Sequence, residues 1–193
     1  RYPVPPLDGD EAAELAWRQD LVRVREESAA QSKAATSASA GDQSHTQIQG
    51  CLRDIGLAMG FGVWIAANDR NRAHETGVLG DGCLTALPDH LSAVSGAESV
   101  RMIDVIWLDR TTGNVIAAFE VEHTTSIYSG IVRLLDLAYG NELRTCEGLF
   151  LVAPDGREND VLQQIRRPAF SKIGELNFRY LPYGELLGQQ EAI

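Results

Sequence analysis

The chain predicts an α/β fold, a mixed β-sheet flanked by helices, on three observations. Two short runs, Val100–Leu108 and Val115–Glu122, are rich in β-branched and aromatic residues, and Thr111-Thr112-Gly113-Asn114 between them is turn chemistry. A third run, Gly148–Ala153 (GLFLVA), is apolar throughout, as in a strand covered on both faces. Between the second and third runs, Ser126–Ala138 places Ile127, Ile131, Leu134, Leu135 and Ala138 on one helical face. A short turn imposes an antiparallel hairpin, whereas an intervening helix permits a parallel crossover, so the sheet combines both senses.

The elements follow in order. Residues 1–8 are proline-rich and read as extended. Residues 9–27 read as an amphipathic helix, with Ala13, Trp17, Leu21 and Val24 on one stripe. Ser28–Ser44 is dominated by Ala, Ser, Thr and Gln and reads as a linker. Residues 1–44 are therefore expected to form an N-terminal helix and linker, and 45–193 the main domain. There, Ile48, Leu52, Ile55 and Met59 form a helical stripe that Gly60 closes. Phe61–Ala67 is expected as a strand, and residues 68–99 as loops with one short helix around Leu91. After the hairpin, the Ser126–Ala138 helix and the Gly148–Ala153 strand come a helix over Asp155–Arg167, stopped by Pro168, and a last strand, Asn177–Leu181. The order is α-β-β-β-α-β-α-β, with no internal repeat.

Composition narrows the class. Of 193 residues, 44% are hydrophobic and 23% charged, ordinary for a soluble globular protein. No apolar stretch approaches the roughly 20 residues of a membrane span, and no signal peptide is visible. The chain starts at Arg1, which suggests a processed product or a fragment. Cys51, Cys83 and Cys146 are few, odd in number and widely spaced. That favours a reducing compartment, hence the cytoplasm, and argues against a disulfide framework or zinc knuckle. A net charge of −10 cuts against a protein that coats DNA, but not against a nucleic-acid enzyme with a local patch. Arginine supplies all basic residues but Lys33 and Lys172. Its fork suits phosphate, although a bias in codon usage is the plainer explanation.

The hairpin carries the chemistry. Glu120 and Glu122 share one strand face because side chains alternate. If Asp109 pairs near Asn114 or Val115, Asp104 falls opposite Phe119 or Glu120. Two carboxylates about 4 Å apart repel by roughly 4 kcal/mol at an effective dielectric near 20. Something cationic is expected among them, and an oxygen-rich cluster suits Mg²⁺ or Mn²⁺. The plain alternative is a solvated strand end. Val-Ile-Ala-Ala-Phe is too apolar for that, and Asp104 between Ile103 and Val105 is costly if buried alone.

The αβββαβ order, with an Asp early in the second strand and Glu-x-Glu ending the third, resembles the PD-(D/E)XK, restriction-endonuclease-like nuclease superfamily over about residues 45–182. The resemblance implies Asp104 and Glu120 as metal ligands, Mg²⁺ (or Mn²⁺) as cofactor and DNA as substrate. Glu122 stands where the superfamily normally has lysine, as in a minority of restriction enzymes. It is expected to accept the water's proton or to bind a second ion, so Asp104, Glu120 and Glu122 are the candidate metal ligands. The superfamily's first helix often adds an acid, and here His45 and Gln49, one turn apart, are the candidates. His123 adjoins the cluster as ligand, base or helix cap. Thr124, Thr125 and Ser126 open the next helix, where free amides suit an anion, and Arg133 lies off its apolar stripe within reach of a phosphate. Asp69, Arg70 and Arg72 read by default as a solvated turn, and Trp64, Trp107 and Tyr128 as core or groove residues.

The expected function is metal-dependent endonuclease action on DNA, in restriction, defence or repair. One alternative is a catalytically inactive domain of the same fold that binds nucleic acid or a partner protein. Another is an interaction module that works through the N-terminal helix, as in a homodimer.

Overall fold

The structure, a computed structural model, describes residues 39–93, 96–123, 127–140 and 146–190. The helix read over 9–27, most of the linker, and Thr124, Thr125 and Ser126 lie outside the described residues. No helix among those described is long and apolar enough to cross a membrane.

Helix α1 (Ser39–Ala58) begins ahead of His45. Its buried stripe is Ile48, Cys51, Leu52 and Ile55, whereas Met59 is 58% exposed. Met59 leaves the stripe because the helix has already turned: Gly60 is left-handed (φ 84°), and the Phe61 amide bonds to the Gly56 carbonyl at 2.9 Å. This is a Schellman ending, built on the glycine that tolerates it.

A five-stranded sheet follows, in the order β1 (Gly62–Ile65), β4 (Val105–Leu108), β5 (Val115–Val121), β6 (Gly148–Ala153), β7 (Phe178–Pro182). A separate hairpin, β2 (Ala73–His74) with β3 (Gly77–Val78), lies in the loop after β1. β1, β4 and β5 pair antiparallel, and β5, β6 and β7 pair parallel, as the turn and the crossover helix require. The crossover is α4 (Ile127–Gly140), which buries Ile127, Ile131, Leu134, Leu135 and Ala138. Val63, Ile65, Val105, Phe119 and Val121 face α1 and the last helix, α6 (Tyr183–Gln190). Trp64, Ile106, Leu108 and Ala118 face α4 and two short helices, α2 (Asp89–Ser92) and α3 (Ala97–Val100). The result is three layers with a core on each side of the sheet.

Several boundaries differ from expectation. Val100 and Ile103 are not strand residues. Gly96, at φ 94°, starts α3, and a turn through Met102 brings the chain to β4 only at Val105. Both are fully buried in the core beneath α4, so their apolarity reflects packing rather than pairing. The Asp155–Arg167 helix divides into a 3₁₀ turn (Asp155–Arg157) and α5 (Glu158–Ile165), and α6 was not anticipated.

The hairpin register decides where Asp104 sits. Asp109 bonds to Asn114, and Leu108 pairs with Val115, but Trp107 pairs with Ala117. The bulge at Ile116 moves the register by one, so Val105 lies opposite Phe119 and the next step aligns Asp104 with Glu120.

Candidate active site

Four elements meet where β4 begins and β5 ends. Asp104, Glu120 and Glu122 are buried there, and so are Gln49 and Asp69. The Asp104 carboxylate is gripped mainly from the α1 side. Gln49 Nε2 donates to its Oδ1 at 3.0 Å, His45 Nε2 lies 3.3 Å from its Oδ2, and the Val121 amide donates to the same oxygen at 2.7 Å. His45 and Gln49 reach it together because residues four apart share a helix face. Gln49 Nε2 also donates to Asp69 Oδ2 at 2.8 Å, and Arg72 Nε lies 2.8 Å from Asp69 Oδ1.

Glu120 and Glu122 are engaged from the α4 side. Arg133 is turned inward: its Nε donates to Glu120 Oε1 at 2.8 Å, and Nη2 donates to Oε2. The same Nη2 lies 3.7 Å from Glu122 Oε1, which Ser129 Oγ also contacts at 3.5 Å. Gly130 allows this approach. A Cβ there would stand 2.9 Å from Glu122 Oε1 and 3.1 Å from Glu120 Cβ. The cation expected beside these carboxylates is thus, in this structure, a guanidinium.

The electrostatics follow from the packing. Burial pushes the Asp104 carboxyl up, but the charge and hydrogen bond of His45, then Arg133 and the Val121 amide, outweigh it and hold the group below its usual value. Burial opposes charge on His45 too, yet Asp104 prevails, and the imidazole is raised to about 9. Glu120 goes the other way. Burial drives it well above the usual carboxyl value against the pull of Arg133, with Asp104 and Glu122 adding to the rise.

The other expected residues are placed as follows. The His123 ring stacks on Tyr183 of α6, centroids 5.9 Å apart, and its Nδ1 is buried without a hydrogen bond among the described residues. Arg157 donates to the carbonyls of Glu122 (3.3 Å) and His123 (3.1 Å), fixing the strand's exit. Trp107 is a core residue, its Nε1 bonded to Leu52 O at 3.0 Å. Asp69, read as a solvated turn, is only 2% exposed. Its neighbours Asn68, Arg70, Asn71 and Arg72 look like an exposed loop, and only the tertiary fold brings α1 over it. Arg157 and Tyr183 gave no sequence signal.

Atoms able to hold a metal lie within 4.8 Å of one another in two groups of described residues: His45, Asp69 and Asp104, and Asp54, His74 and Glu75. Asp104 therefore groups with α1 and the loop after β1, while Arg133 covers Glu120.

Comparison with known proteins bears on this arrangement. The family described as the type II restriction enzyme NmeDI C-terminal domain matches residues 25–191. The type II restriction enzyme NmeDI of Neisseria meningitidis serogroup C is 32% identical over 149 residues, 72% of this chain. The chain spans 40% of that enzyme's length. No solved structure matches. The chain belongs to the family of the type II restriction enzyme NmeDI C-terminal domain.

Proposed function

We propose that this chain is a nuclease domain of the PD-(D/E)XK type, with Glu122 in the usual lysine position, that hydrolyses DNA phosphodiester bonds with Mg²⁺ or Mn²⁺ in restriction or defence. The observation that supports it most is the burial of Asp104, Glu120 and Glu122 at one end of the β4–β5 hairpin, in a chain of restriction-enzyme kinship. Buried carboxylates beside His45 and Gln49 fit a divalent cation, since only a cation or a salt bridge makes such a cluster affordable.

Asp104 and Glu120 would hold the ion, which when bound acidifies a water and offsets charge on the scissile phosphate. Glu122 accepts the water's proton. Arg133, once Glu120 is otherwise neutralised, supplies a fixed positive charge to the phosphate and stays protonated throughout. Gln49 and His45 orient Asp104, and His123 packs against Tyr183 at the strand's end.

A second reading, binding without cleavage, is favoured by the bidentate Arg133–Glu120 pair, which fills the place of a ligand-bound cation. One experiment separates the two: single-stranded, duplex and branched DNA are incubated with the protein in Mg²⁺, in Mn²⁺ and in chelator. Hydrolysis is expected with either ion, none with chelator, and a loss of several kcal/mol of transition-state stabilisation in Asp104→Asn, with its circular dichroism unchanged. DNA retained but uncut in every condition would establish the second reading.

A further inference from the structure

We propose a second divalent-cation site on the α1 side of Asp104, formed by His45 Nε2, Asp69 and Asp104 with the Gln49 carbonyl as a fourth ligand, and selective for a first-row transition ion over Mg²⁺, with Mn²⁺ as its paramagnetic probe. It shares Asp104 with the proposed hydrolytic centre but requires neither DNA nor cleavage.

Two independent observations carry it. The ligand atoms of His45, Asp69 and Asp104 lie within 4.8 Å of one another, although they come from α1, the loop after β1 and the approach to β4. Gln49, fully buried, is aimed into the same space. Its Nε2 spans the two carboxylates, at 2.8 Å from Asp69 Oδ2 and 3.0 Å from Asp104 Oδ1, while its Oε1 is buried with no hydrogen bond among the described residues. A buried acceptor with no partner is left desolvated without compensation. Turning the amide over exchanges its oxygen and nitrogen. The oxygen then faces the two carboxylates, which is tolerable only with a cation between them. The same side chain thus closes the empty site as a donor and the filled site as a ligand. A carboxylate at this position would do only the second, and would crowd a third negative charge into the cluster when no ion is bound.

The ligand set indicates the ion. Mg²⁺ favours oxygen ligands and retained waters, whereas imidazole suits softer first-row ions. Arg72, 2.8 Å from Asp69 Oδ1, orients that carboxylate from outside. The rival group, Asp54, His74 and Glu75, is more open to water, with Glu75 exposed.

The test uses the full chain without DNA, with Mn²⁺ added over excess Mg²⁺. Bound Mn²⁺ is read by pulsed paramagnetic resonance, which detects coupling to an imidazole nitrogen. The expected result is a Mn²⁺ ion coupled to ¹⁴N, with the coupling lost in His45→Gln. In Asp69→Asn, with its metal-free melting temperature checked against wild type, affinity should fall about ten-fold or more. Glu120→Gln should keep the coupled ion. Absence of nitrogen coupling in the wild type, its survival in His45→Gln, wild-type affinity in Asp69→Asn, or its loss in Glu120→Gln would each overturn the proposal. Absence of coupling in the wild type decides against the proposal even if a variant misfolds, and His74→Gln, expected to keep the coupling, separates the site from the rival group. Cleavage assays on the same proteins bear only on the hydrolytic reading, so the two fail separately.

Discussion

Arg133 shows how a single residue makes a buried carboxylate cluster tolerable. Its fork covers both Glu120 oxygens and approaches Glu122, so removing it leaves charge stranded in a low-dielectric site. Arg133→Met should therefore destabilise the protein by about 3–5 kcal/mol, measured by urea unfolding at neutral pH in chelator. Adding Glu120→Gln should recover much of that loss, and a double variant no more stable than Arg133→Met would show that the pairing is incidental. Glu122 poses the complementary question. If it takes the water's proton, Glu122→Gln should slow turnover by roughly 10²–10⁴. Glu122→Lys should not rescue activity, because the new ammonium would face Arg133 Nη2, now 3.7 Å from Glu122 Oε1. Rates within a few-fold of wild type in both variants would assign Glu122 a structural role.

At the scale of elements, the β4–β5 hairpin sets the site, and its turn is held by Asp109. The Oδ1 of Asp109 accepts from the Thr111 amide at 2.9 Å, the Thr112 amide at 2.7 Å and the Thr112 hydroxyl at 2.9 Å, and these bonds hold its carboxyl below the ordinary value. A depressed folded pKa stabilises above the unfolded pKa, and that contribution disappears as pH falls through the folded one. Asp109→Ala should thus melt below wild type at neutral pH, and the two should converge in acid beyond that titration. A gap that persists at the lowest pH would place the effect in the backbone instead. The hairpin was legible because two apolar runs flanked a Thr-Thr-Gly-Asn turn. The bulge at Ile116 was not, since nothing local distinguishes one apolar residue in that run from the next, yet it determines that Asp104 aligns with Glu120. Val100 and Ile103 misled for a similar reason: an apolar pair has the same letters whether it pairs in a sheet or packs under α4.

At the scale of the whole molecule, the alternation of carboxylates on one strand was legible, while the partition of their partners between α1 and α4 was not, because it depends on contacts between residues far apart in sequence. Asp69 is the clearest case, a polar loop residue that becomes buried only when α1 closes over it. That partition bears on DNA binding. The chain carries a net charge of −10, and the arginine nearest the carboxylates is consumed by Glu120. With chelator present, the site should repel a phosphate backbone. On the proposed reading, a divalent ion on the carboxylates would offset the local negative charge and free Arg133 to face phosphate, so affinity should depend on the ion more than on overall charge. Fluorescence anisotropy with labelled duplex in Ca²⁺, which accepts the same oxygen ligands, should show binding about ten-fold tighter or more than in chelator at equal ionic strength, the size expected of one coupled site. Arg133→Met should reduce that gain. Equal affinity with and without Ca²⁺ would mean that DNA docks on a surface away from these carboxylates, and would separate binding from the centre formed by Asp104, Glu120 and Glu122.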